Sequence, residues 1–132
     1  MISNYFIFII TYFLIVFSVV GHGLLAIKFT KTNVSTEEIG FVGLIGIFFL
    51  ILYSYITHFF ISHGYLHNII FLVIGLISIY YFRSKVLIKR NFIFLFSIFS
   101  VVFIAFIVFK THDDFGYYHF LYYYYLNKFS MI

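Results

Sequence analysis

The chain contains no cysteine, no proline and no tryptophan, only two alanines, and charged residues at just 9% of its 132 positions. The lack of cysteine excludes disulfides, thiol catalysis and cysteine-ligated metal. The scarcity of charge excludes a soluble domain of this size. With 64% hydrophobic residues, so small a fold would leave far too much apolar surface in water. Lipid is the solvent that removes the difficulty, so the composition specifies an integral membrane protein. The 22 phenylalanines and 13 tyrosines stand where leucine and alanine would serve as well. They point to a coding bias towards A/T-rich codons, and the phenylalanines receive no chemical role. The net charge of +4 comes from basic residues beside apolar runs, an arrangement that anchors a chain to a membrane rather than binding nucleic acid.

Four apolar runs read as transmembrane helices, at about 5–27, 39–58, 68–82 and 92–109. The first is too long for a secretory leader and has no basic residue before it. His22 lies near its end, between Gly21 and Gly23, close enough to the interface to reach lipid headgroups. Ser35-Thr-Glu-Glu38 has the form of a capping box and marks the start of the second run. Gly40, Gly43 and Gly46 follow at every third position, a spacing that lets a neighbouring helix approach closely and makes them the candidate packing surface. The third run is the shortest, with Tyr65 and His67 at one end and Tyr80 and Tyr81 at the other as interfacial belts. In the fourth, fifteen of eighteen residues are Phe, Ile, Leu or Val.

Basic residues set the orientation. Lys28, Lys31, Arg83, Lys85, Lys89 and Arg90 fall on one side of these spans, Lys110 and Lys128 on the other. Six against two places the longer loops in the cytoplasm. The N-terminus, the turn His58-Phe-Phe-Ile-Ser-His-Gly-Tyr-Leu-His67 and the segment after the fourth span then face outwards from the inner membrane. On a continuous helix His63 and His67 would share a face and chelate zinc or copper. Gly64 breaks that helix and no local carboxylate completes a ligand set, so the turn reads as a hairpin with interfacial histidines. No acidic or basic residue sits deep in a span to form an ion path, which places a transporter last among the readings.

The outward segment 110–132 carries both aspartates, Asp113 and Asp114, flanked by His112 and His119, with six tyrosines in the nine residues from Tyr117 to Tyr125. From the residues alone, Asp114 N-caps a helix beginning at Phe115 and Asp113 adds favourable charge at its positive end. The tyrosines would hold that helix flat at the membrane surface. The fold expected is therefore all-α, a single membrane domain of four transmembrane helices followed by an interfacial aromatic helix.

The run His112-Asp-Asp-Phe-Gly-Tyr-Tyr-His-Phe-Leu-Tyr-Tyr-Tyr-Tyr125 resembles the first external loop of GT-C-type glycosyltransferases, multi-spanning enzymes that use lipid-linked sugar donors. The resemblance covers about twenty residues. Gly116 and Leu121 stand where that loop tends to carry prolines. The resemblance implies that 1–132 is the N-terminal portion of a longer enzyme, inactive by itself, with a polyprenyl-phosphate sugar as its partner in the membrane. It also implies catalytic roles for Asp113 and Asp114, Asp113 as base towards the acceptor hydroxyl. Lys110, His112 and His119 would then be phosphate neighbours, and a divalent metal or these cationic groups would stabilise the leaving phosphate. The alternative is a small four-helix membrane subunit without chemistry that packs on partner helices through Gly40, Gly43 and Gly46.

Overall fold

A computed structural model describes residues 2–31, 38–82, 89–108 and 119–129, and every regular element among them is an α-helix. In chain order these are α1 (Ile2–Thr30), α2 (Ile39–His58), α3 (Tyr65–Tyr81), α4 (Lys89–Val108) and α5 (His119–Lys128). Two are long and apolar enough to cross a membrane, α1 over Tyr5–Thr30 and α2 over its full length, and α3 is a shorter apolar helix.

Local chemistry explains where the helices stop and start. At the end of α1 the Thr30 hydroxyl turns back to the Ala26 carbonyl at 2.8 Å, and Lys31 adopts a left-handed backbone, φ 52°, which cannot continue the helix. α2 starts at Ile39, as the apolar run implies. Its cap residue is Glu38, whose side chain makes no cap hydrogen bond, although its carbonyl accepts the first helical bond from Val42 N–H at 3.1 Å. A capping box would instead put Ser35 at the cap, and Ser35 lies outside the described residues. At the far end the N–H groups of Phe60 and Ile61 close on the Thr57 carbonyl at 3.0 and 2.8 Å. Gly64 then stands extended at the head of α3, so the helix begins at Tyr65. That is three residues before the apolar run, because the backbone break rather than the first apolar side chain decides the start.

α1 is the centre of the assembly and packs against both α2 and α3. The approach is close because glycines stand where the helices cross. A methyl group on Gly46 would be driven into the Val19 carbonyl, and one on Gly23 into the Val42 carbonyl, so α1 and α2 touch backbone to backbone. On the other side a methyl on Gly21 would strike the Gly75 carbonyl, and one on Gly75 would strike Ser18. Gly43 faces Val20, and Gly40 faces the Phe94 ring of α4 at 3.3 Å. The packing surface expected on α2 is therefore occupied from within the chain.

Below this crossing lies the apolar core, formed by Val20, Leu24, Ile27, Ile39, Val42, Ile79 and Leu95. At that same end Lys28 extends over the rings of Tyr81 and Phe82, 5.4 and 5.5 Å from their centroids, tying the ends of α1 and α3 together. α4 runs antiparallel to α1 along a ladder of rings: Phe99 stacks on Phe13 at 5.3 Å, and Phe103 meets Tyr5 and Phe8 at 6.3 and 6.2 Å. The helix ends therefore sort into two groups. The basic end carries Lys28, Lys31, Lys89 and Arg90; the opposite end carries the turn between α2 and α3.

Candidate functional site: a histidine turn under an aromatic helix

The turn between α2 and α3 gathers three imidazoles. His58 closes α2, His63 precedes the Gly64 break, and His67 lies in the first turn of α3. The His58 and His63 rings are 4.8 Å apart, and His63 stacks on His67 at 4.5 Å with only 12° between their planes. Phe71 continues the column 4.7 Å beyond His67. Ring nitrogens direct their lone pairs within the ring plane, and near-parallel stacked planes do not converge on one ion. Among the described residues no set of three His, Asp or Glu side chains is arranged to hold a metal.

The polar atoms of α2 bind these rings from the side. His63 Nε2 donates to the Ser54 carbonyl at 3.1 Å, while its Nδ1 lies 3.4 Å from the Ser54 hydroxyl. His67 Nε2 contacts the Thr57 hydroxyl at 3.0 Å, and His67 Nδ1 faces Asn68 Oδ1 at 3.3 Å. The Asn68 amide is oriented by its donation to the His63 carbonyl at 3.4 Å, so its oxygen is the atom turned to His67. The Thr57 hydroxyl has a single proton and is also within reach of the Tyr53 carbonyl, at 3.1 Å. An added proton on His67 would thus find an acceptor at both nitrogens. His58 is 8% exposed, and its Nδ1 is buried without a hydrogen-bond partner. Burial pushes the His63 imidazole below the ordinary histidine range. Repulsion from His67 and His58 pushes the same way, against the opposing hydrogen bond from Ser54.

α5 docks on this turn. The His63 N–H donates to the Leu126 carbonyl at 2.9 Å, joining residues that are far apart in sequence. Between α5 and α2 lies a cleft of about 780 Å³. Its α2 wall is Ile47, Leu50, Ile51, Ser54, Tyr55 and His58, and its α5 wall is Tyr122, Tyr125, Leu126 and Phe129, with His63 at the junction. The stretch from Ile47 to His58 covers about 16 Å of helix axis at 1.5 Å per residue. The apolar residues of that wall lie deepest along α2, and the imidazoles sit at one end.

His119, read from the sequence as a phosphate neighbour, is the first residue of α5 and is exposed. Asp113, Asp114, Lys110 and His112 lie outside the described residues, as does the helix start expected at Phe115. The cleft itself was not anticipated. One trace of it was available: positions 47, 50, 51, 54, 55 and 58 form one helical face along the second half of α2, beyond its glycines, and that face ends in the histidine turn. His22 also departs from expectation. It is 2% exposed, lies between Phe49 and Phe71, and donates from Nε2 to the Phe71 carbonyl at 2.9 Å instead of reaching headgroups. The flanking Gly21 and Gly23 let α3 and α2 close around it.

No protein-family model, curated protein or solved structure matches the chain.

Proposed function

We propose that the chain is a four-span inner-membrane protein with its N-terminus, histidine turn and α5 on the outer face, working as the lipid-handling N-terminal part of a glycosyltransferase-like enzyme. The observation that carries this reading is the cleft between α2 and α5, a long apolar wall ending in imidazoles. Its volume is within the usual range for ligand sites, and a prenyl chain ending in a polar sugar-phosphate matches its division into apolar and polar parts. The outward faces of the helices support the membrane setting. Phe6, Leu44, Phe48 and Phe96 are all more than half exposed, a surface suited to lipid and not to water. The contact of α5 with the histidine turn supports an even number of crossings between them.

In this reading the segment leading into α5 brings the chemistry. Asp113 accepts the proton of the acceptor hydroxyl, Asp114 is its paired carboxylate, and Lys110, His112 and His119 act on the phosphate. The subunit alternative loses its proposed docking face, since Gly43 and Gly46 already pack on α1 and Gly40 on Phe94. The test is photocrosslinking in native membranes with a prenyl phosphate carrying a photoreactive group on its chain. Labelled peptides should map to 47–58 and 122–129. Labelling confined to the faces of α1 and α4 remote from the cleft would refute the reading.

A further inference from the structure

The histidine turn has a property that the lipid-handling reading does not use. His63 lies between the other two imidazoles, 4.8 Å from the His58 ring and stacked at 4.5 Å on His67, and among the described residues no carboxylate stands near them. The one described acid, Glu38, caps the opposite end of the bundle. Two of the rings, His58 and His63, also line the cleft. His58 is more than nine-tenths buried and retains a ring nitrogen without a partner. Such a cluster cannot gather protons freely, because each added charge repels the next. An anion among the rings removes that repulsion.

We propose that the α2–α5 cleft is a proton-linked site for a single-chain anionic membrane amphiphile. Its tail lies along Ile47, Leu50, Ile51 and Phe129, and its head is held by His58 and His63. The occupant is a lipid and not a free anion, because the polar end is short and most of the wall is apolar. The proton taken up on binding has places to go. His67 faces two groups able to accept, Asn68 Oδ1 and the Thr57 hydroxyl, and His63 already donates to the Ser54 carbonyl. The other titratable groups around the cleft are Tyr55 from α2 and Tyr122 and Tyr125 from α5. Lys128 on α5 is engaged by the Tyr124 hydroxyl at 2.6 Å. Of these side-chain types, imidazole is the one whose ordinary range lies near neutral pH. Burial first, and then the same repulsion from His67 and His58, lowers the proton affinity of His63.

This inference rests on the cleft being a lipid site, and the experiment separates the two. The full chain in nanodiscs of zwitterionic lipid is titrated with dodecylsulfonate, whose charge is constant, with dodecanol, and with inorganic phosphate, at about pH 5.5 and about pH 8, either side of the imidazole range. Dodecylsulfonate should bind about tenfold more tightly at the acid pH, the factor that a one-unit rise in one imidazole pKa produces. Dodecanol should bind equally at both, and phosphate alone should not bind measurably. His58→Gln and His63→Gln should each reduce the pH dependence while leaving dodecanol binding intact, which shows that the cleft has kept its shape. Sulfonate and alcohol binding alike at both pH values would overturn the anion site and leave the lipid site standing. Failure of both to bind would remove the lipid site as well. Loss of the pH dependence in Asp113→Asn/Asp114→Asn or in Lys128→Gln, with the histidines intact, would assign the linkage elsewhere and overturn the proposal.

Discussion

Gly21, Gly46 and Gly75 each occupy a place where one methyl group would meet a neighbouring helix backbone. Backbone cannot move aside as a flexible side chain can. Replacing any of them with Ala should therefore destabilise the protein by about 1–3 kcal/mol, the usual cost of overpacking. Gly64 has nothing within 4 Å of where a methyl would stand and an extended backbone open to any residue. Gly64→Ala should remain within about 0.5 kcal/mol of the parent. Thermal denaturation in mild detergent compares the four variants directly. His22 allows a similar contrast. His22→Ala removes a buried ring and should cost about 3 kcal/mol or more. His22→Phe keeps the contacts with Phe49 and Phe71, loses one hydrogen bond and removes a buried nitrogen that has no partner, so it should stay within about 1 kcal/mol. If the proposed chemistry holds, Asp113→Asn should lower transfer by roughly 10²–10⁴-fold, the range for losing a general base, with membrane insertion unchanged.

Among the helices, α5 is joined to the histidine turn by the backbone bond from the His63 N–H to the Leu126 carbonyl. The His63 imidazole is held below the ordinary range, first by burial and then by repulsion from His67 and His58, so the unfolded state binds its proton more readily than the folded one. His63 then contributes to folding stability fully above about pH 6.5, the ordinary histidine value, and less as the pH falls below it, so thermal denaturation in mild detergent should move to lower temperature in acid. Spin labels on Leu52→Cys and Tyr123→Cys, both exposed positions in a chain without native cysteine, should give one narrow distance at about pH 8 and the same distance at about pH 5.5, as a cleft that keeps its shape requires. A distribution that broadens in acid would show that α5 leaves the turn when His63 gains its proton. The helices themselves were legible in the sequence because apolar runs and polar breaks alternate, and α2 was read to the residue. The glycine spacing announced close packing on α2 but not its partner, since α1 hides its own small residues Ser18, Gly21 and Gly23 in a longer apolar run. The cleft was hidden for a related reason. It depends on a contact between His63 and Leu126, and no local pattern reports an encounter across so much chain.

At the scale of the whole molecule, the grouping of Lys28, Lys31, Lys89 and Arg90 at one end and the histidine turn with α5 at the other makes the proposed orientation testable. In intact cells Ser35→Cys and Ser84→Cys should be shielded from an impermeant thiol reagent, and Asn127→Cys should react. The reverse pattern would turn the protein over and place the cleft in the cytoplasm. The central position of α1 also has a consequence in time. His22 enters the membrane with the first helix, but the carbonyl it bonds belongs to Phe71, 49 residues later in the chain. At a synthesis rate of about 5–20 residues per second, this polar ring waits roughly 2–10 s for its acceptor. A polar group without a partner is costly in hydrocarbon, so in the proposed membrane setting α1 should be held back from the open bilayer during that interval, until α3 arrives to release it.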